Sequence, residues 1–250
     1  MRIIGDYKRI VGFKGLSGKQ YRDLVVISEL VRQQRALYTH KSHSIEGRIV
    51  SISKPHVRPI ARGKARMLYE FGAKLSVSLV DGLTEVHRLS WEPYNESQDL
   101  KGQIESYRQR YGRYPEVVCA DRIYRTRENL RYCQEYGIRL SGPKLGRPFK
   151  ESQKNSALLR ERRRIEREDE RTRIAVEGKF GEGKRRYTLD RIGTKLRATS
   201  ESAIQLVFLV MNLMVLYRRK AKAFFVVLFD ILVERLRRAF GKQIWQLIAA

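Results

Sequence analysis

The stretch Phe71–Trp91, FGAKLSVSLVDGLTEVHRLSW, decides the fold. From Phe71 to Val80 apolar and polar residues alternate, the period of a strand with one covered face. Asp81-Gly82 is a two-residue hairpin signal, because both positions accept the positive φ that the tight turn demands. Leu83 to Trp91 supplies the returning strand. Downstream, Pro93-Tyr94-Asn95-Glu96-Ser97 reads as a turn ending in a helix cap. Leu100, Ile104, Tyr107 and Tyr111 then fall on one face of a helix over Leu100 to Tyr111. Pro115 to Ala120 (PEVVCA) is a continuous apolar run, the pattern of a central, buried strand, and Asp121 follows it directly. Arg127 to Glu135 is helical and ended by Gly137; Ile138 to Ser141 is a short strand before Gly142-Pro143. A long helical region closes the series.

Upstream of the hairpin, Pro55, Pro59 and Gly63 mark an irregular, basic connection. Arg48 to Ser53 (RIVSIS) alternates as a short strand, and Leu24, Val25, Ile27, Leu30, Val31 and Leu37 give a helix over residues 21–38. Together these elements predict an α/β fold with a mixed sheet and flanking helices. In such sheets chemistry sits beyond the carboxyl ends of strands, the place that Asp121 occupies.

Composition narrows the function. The 250 residues hold 52 Lys+Arg against 27 Asp+Glu, a net charge of +25. A hydrophobic share of 42% argues against a disordered basic tail. Two cysteines, Cys119 and Cys133, exclude a disulfide scaffold, and no CxxC pair offers a zinc site. Met1 to Tyr7 lacks the apolar region of a signal peptide, so the expected location is intracellular. No internal repeat, Walker A loop, GxGxxG, GxSxG or HExxH motif occurs; Gly146-Arg147-Pro148 is a plain loop.

The positive charge concentrates between Lys144 and Arg191. Over residues 150–172 the acids Glu161, Glu166, Glu168, Asp169 and Glu170 are interleaved, so a solvated, self-paired helix is as good a reading as a binding face. From Lys179 to Arg191 acids are sparse, and contact with phosphates is the better reading, since it relieves repulsion and releases counterions. Two apolar stretches, Ala203–Tyr217 and Ala223–Val233, flank Arg218-Arg219-Lys220. Each is shorter than the roughly 20 residues that span a bilayer, and Gln205, Asn212 and Asp230 interrupt them, so buried core helices and no membrane are expected. Ala223 to Gln246 also reads as a basic amphipathic helix carrying Arg235, Arg237, Arg238 and Lys242.

Two carboxylates stand out as chemistry: Asp121, and Glu177 in Arg173-Ile174-Ala175-Val176-Glu177-Gly178-Lys179-Phe180. Mg²⁺ (or Mn²⁺) takes hard oxygen ligands, often one or two protein carboxylates completed by water and phosphate oxygens. Two such ions about 4 Å apart suit phosphoryl transfer. The competing structural roles are a helix cap or a partner to Arg122 or Arg125 for Asp121, and an ion pair with Arg173 for Glu177.

Residues Ser44 to Leu213 resemble bacterial insertion-sequence transposases of the DDE class. The resemblance is carried by RPIARGKA (Arg58–Ala65), EFGAKLSVSLVDG (Glu70–Gly82), LSWEPYNES (Leu89–Ser97), ADRIYRTRENLRYCQEYGIRLSGPKLGRP (Ala120–Pro148), VEGKFGEGKRRY (Val176–Tyr187) and LVMNL (Leu209–Leu213). It implies an RNase H-like core over residues 44–217, with a helical remnant at 1–43, a basic helical insertion at about 148–172 and a C-terminal helix at 218–250. It assigns the second catalytic Asp to Asp121 and the final Glu to Glu177, both as metal ligands. Arg173, Glu177 and Lys184 match the family's Tyr-x₂-Arg-x₃-Glu-x₆-Lys signature, while Glu170 stands at the Tyr position. The family signature gives phosphate contact to Arg173 and Lys184; the neighbouring Lys179, Arg185 and Arg186 are read with them. The first Asp belongs on a strand ahead of the hairpin, where Arg48–Ser53 holds none, so that strand is expected to lie upstream of this chain. Asp81 is the internal substitute, though the turn explains it. The implied partners are double-stranded DNA, at element ends and target, and a second copy in a synaptic dimer.

Overall fold

The hairpin forms as its sequence dictates. In the computed structural model, which describes residues 15–64, 67–143, 146 and 156–248, β3 (Lys74–Val80) pairs antiparallel with β4 (Leu83–Ser90). Asp81 and Gly82 adopt φ of 48° and 71°, the pair of positive values that defines the turn. The strand expected to begin at Phe71 is divided. Met67–Gly72 (β2) pairs instead with β1, Arg58–Lys64, in the region expected to be irregular. Pro59 fits there because a two-stranded edge leaves its missing N–H without consequence.

The predicted strand at Arg48–Ser53 does not form. Its backbone is held by a side chain rather than by a strand. Gln33, buried on helix α1 (Gly18–Thr39), donates to the Gly47 carbonyl at 3.2 Å and accepts from the Ile49 N–H at 2.9 Å. One amide thus satisfies the groups a neighbouring strand would have taken.

After the hairpin, Asn95 caps a 3₁₀ turn (Glu96–Gln98) that leads into helix α2, Asp99–Tyr111. Leu100 and Ile104 of α2 are buried against β5 (Val117–Val118), helix α3 (Arg127–Glu135) and β6 (Arg139–Leu140). The β5 and β6 strands pair in parallel. The expectation of a central, buried β5 fails: only two residues pair, on one side, and Val117 is exposed. Among the described residues the strands form three two-stranded sheets, two antiparallel and one parallel, rather than one mixed sheet. The α/β class stands.

Helix α4 (Ser156–Tyr187) and helix α5 (Arg197–Ile248) complete the fold. Ile204, Phe208 and Met211 of α5 enclose a second core with Trp91 and the hairpin's inner face. Asn212 pins the contact, donating to the Thr84 carbonyl at 2.7 Å and accepting the Thr84 N–H at 2.8 Å. The two apolar stretches of the sequence are therefore one helix of 52 residues, about 78 Å long. The first packs on the hairpin, whereas Phe224–Phe229, Ile231 and Leu232 in the second are exposed. Joined, they make Arg197–Arg235 one helix long enough to cross a membrane, with an 18-residue window of mean hydropathy 1.5, so the length argument against a span does not carry over. Residues 1–14 of the 1–43 region, Arg147 and Pro148 of the loop, and residues 148–155 of the basic insertion lie outside the described residues.

Two histidines, one beside Trp91 and one on β4, carry a pH dependence. His56 meets Trp91 edge-on at 4.4 Å, and His87 bonds the Ser78 hydroxyl at 2.7 Å. Burial holds both imidazoles below their ordinary value of 6.5; Lys54, Arg197 and Arg58 add to it at His56, while at His87 the neighbouring Glu85 opposes it and Arg110 adds to it. The folded protein keeps them neutral, so the unfolded chain binds more protons as pH falls. Their contribution is intact above the unfolded value and is lost as pH drops through it. Urea midpoints are expected to be lower at pH 5.5 than at pH 7.5, with the H56Q/H87Q double variant narrowing the gap.

Candidate active site

Asp121 is the third residue past β5, and the backbone turns there. Its Oδ1 accepts the Arg122 N–H at 2.6 Å and caps a 3₁₀ turn, Arg122–Tyr124. The side chain is exposed. Of the structural roles open to it, the cap is the one realised. Arg125, considered as a partner for Asp121, points elsewhere: its buried guanidinium donates to the carbonyls of Leu140 and Ser141 at 2.7 and 2.5 Å. Burial holds its pKa down, and its Nε is buried without a partner among the described residues. Gly142, at φ 100°, makes room for it; a Cβ there would stand 2.9 Å from Arg125 Cδ. The turn bearing Asp121 is thus fastened to the end of β6.

Glu177 lies on the exposed side of α4. Arg173 donates to Glu170 at 3.0 and 2.7 Å and to Glu177 Oε1 at 2.8 Å. Its hydrogen bonds to Glu170 and then to Glu177 hold Arg173 well above its ordinary value. Glu170, at the position where the family signature has Tyr, is therefore the far end of an acid–Arg–acid ladder. Lys179 pairs with Glu182 at 3.0 Å, and Glu182 also takes Arg218 of α5 at 3.4 Å. Lys184, Arg185 and Arg186 are exposed in the last turn of α4, where the helix dipole also favours cations. Asp81 stands exposed at the hairpin tip, its carbonyl accepting from Arg219.

The donor set can be weighed against a divalent cation. Asp121 and Glu177 each have one oxygen engaged, by Arg122 N–H and by Arg173, and the other without a partner among the described residues. That suits a hard cation completed by water and phosphate oxygens. No group of three or more His, Cys, Asp or Glu side chains with metal-holding geometry occurs among the described residues, so these residues form no closed cage.

One residue escaped the sequence reading. Asp169, taken as one of the interleaved surface acids, is buried. It receives Arg139 of β6 through two bonds of 2.5 and 2.8 Å and the Cys119 thiol at 3.8 Å. Helical phase was the available signal, because Asp169 falls in line with Ile165, Val176 and Phe180, all partly covered.

Comparison with known families adds one finding. Residues 118–214 match the family model of the transposase DDE domain, which supports a DDE-type transposase. No curated protein and no solved structure matches the chain.

Proposed function

We propose that this chain carries the catalytic part of a DDE-class DNA transposase with an RNase H-like core, acting on double-stranded DNA in the cytoplasm at the nucleoid. The observation that carries the reading is the family match itself, because its span includes Asp121, Arg173, Glu177 and Lys184 in one continuous domain. The reaction is hydrolysis of a phosphodiester at an insertion-sequence end, followed by strand transfer. Water adds its oxygen to phosphorus, the bond to the 3′ oxygen breaks, and a 3′-hydroxyl is left with the proton. That hydroxyl then attacks a target phosphodiester, displacing the target's own 3′ oxygen.

Mg²⁺ or Mn²⁺, when bound, supplies charge at the phosphoryl oxygens. Asp121 and Glu177 would hold it, each having one oxygen free of its present partner. Arg173 holds Glu177 in place through its 2.8 Å bond to Oε1. Lys184, Arg185 and Arg186 hold the DNA backbone, contacts that position the duplex without reading its sequence. Two copies act together on paired ends. The first acid of the class is not assigned to a residue of this chain, since Asp81 serves a turn.

The experiment is metal-dependent cleavage of an element-end duplex by the intact chain. Cleavage abolished by D121N supports the reading; absence of cleavage, with DNA binding retained, favours a DNA-binding relic of such an enzyme. The phosphate contacts have their own check. Replacing Lys184, Arg185 and Arg186 with Gln is expected to flatten log Kd against log[salt] by about 0.9 per phosphate lost. K179Q is expected to change that slope less, because Glu182 already occupies its ammonium.

A further inference from the structure

We propose that Asp169 is a positioning residue that fixes the helix bearing Glu177 against the strand exit bearing Asp121, an inference that rests on the metal-holding roles assigned to those two acids above. Four acids on the solvent side of α4 lie open: the side chains of Glu161, Glu168, Glu170 and Glu177 are 53%, 59%, 55% and 64% exposed, against 9% for Asp169 and 19% for Glu182, which Lys179 and Arg218 pair. A carboxylate is not withdrawn from water unless its oxygens are satisfied. Here Arg139 fills both with its planar fork, at 2.5 and 2.8 Å, and the Cys119 thiol approaches Oδ1 at 3.8 Å.

The partners come from two strands that meet only over two residue pairs. Arg139 belongs to β6, and Cys119 stands two residues before Asp121 on the exit of β5. A single carboxylate therefore touches both strands. Glu177 follows eight residues later, about 12 Å along the axis and about 80° round the helix. Moving Asp169 moves Glu177 relative to Asp121. The helix does not need this pair for its own stability, because its solvent side carries the separate ladders Glu161–Arg164–Glu168 and Glu170–Arg173–Glu177.

The test uses the full chain and Mn²⁺ alone, with free Mn²⁺ read by electron paramagnetic resonance, so it does not depend on DNA cleavage. D121N and E177Q are compared with D169N, D169E and R139K, and circular dichroism and thermal midpoints are recorded for each. The expected result is that D121N and E177Q lose Mn²⁺ binding. D169N weakens it roughly tenfold or more at unchanged helicity, and D169E recovers part of the affinity. R139K, which keeps charge but loses the fork, falls between. Should D169N fail to fold, R139K carries the same comparison, since Arg139 is 46% exposed. Wild-type affinity in D169N, or in R139K where that variant stands in, overturns the inference and leaves the metal reading standing. Unchanged binding in D121N and E177Q overturns the metal reading, and the positioning role falls with it.

Discussion

D121N and E177Q are each expected to lower metal-dependent cleavage by roughly 10³-fold while leaving the fold intact. The asymmetry follows from exposure. Both carboxylates sit in solvent, and their structural duties are a one-bond cap and one arm of an ion-pair ladder. Neither is a duty on which a core depends. D121N keeps an oxygen for the Arg122 N–H, so the 3₁₀ turn survives, but the charge that attracts a cation is gone. E177Q likewise leaves Arg173 with Glu170 as its main partner. A loss of activity in parallel with lower thermal midpoints would assign these acids to folding. A loss at constant midpoint assigns them to chemistry.

Phe208→Ala is expected to cost about 3–5 kcal/mol of stability, read as a lower urea midpoint at similar slope. Phe208 is 3% exposed and packs with Trp91, Ile204 and Met211 against the hairpin. It also meets Phe180 of α4 edge-to-face at 6.0 Å. The truncation therefore opens a cavity where α4, α5 and the hairpin join, three residues beyond Glu177. Cleavage is expected to fall as well, and to recover in part at lower temperature. An exposed counterpart, Phe224→Ala, is expected to change the midpoint little, because its side chain is 64% exposed.

How much of this was legible without coordinates depends on the range of the interaction involved. The β3–β4 turn was legible because Asp81-Gly82 imposes its own dihedral angles. Helix α2 was legible because Leu100, Ile104, Tyr107 and Tyr111 share one face, and α3 because Gly137 ends it. Arg48–Ser53 misled because β-branched alternation records an extended, half-covered backbone, not the identity of what bonds it; Gln33 does so from another element. Pro59 and Gly63 concealed β1 because both residues argue against strands unless the strand is at an edge. Of the site, the two acids were visible as sequence motifs. Their support was not. Arg125 and Arg139 look like ordinary members of a charged sequence, and only tertiary packing separates them from their solvated neighbours; Asp169 is marked in the sequence by helical phase alone.

The short β5–β6 pairing has a consequence for motion. Beyond the ladder itself, two bonds of 2.9 Å tie these segments, Arg139 N–H to the Glu116 carbonyl and Ser141 N–H to the Val118 carbonyl. A strand pair this small opens without the rest of the molecule opening, so these amides are expected to exchange with solvent deuterium long before those of α5 around Met211. The arm that presents Asp121 is then a cooperative unit of its own. What holds it closed besides those bonds is the packing of Ile138 and Leu140 on Leu100 and Ile104, with Arg125 fastened at one end and Arg139 at the other.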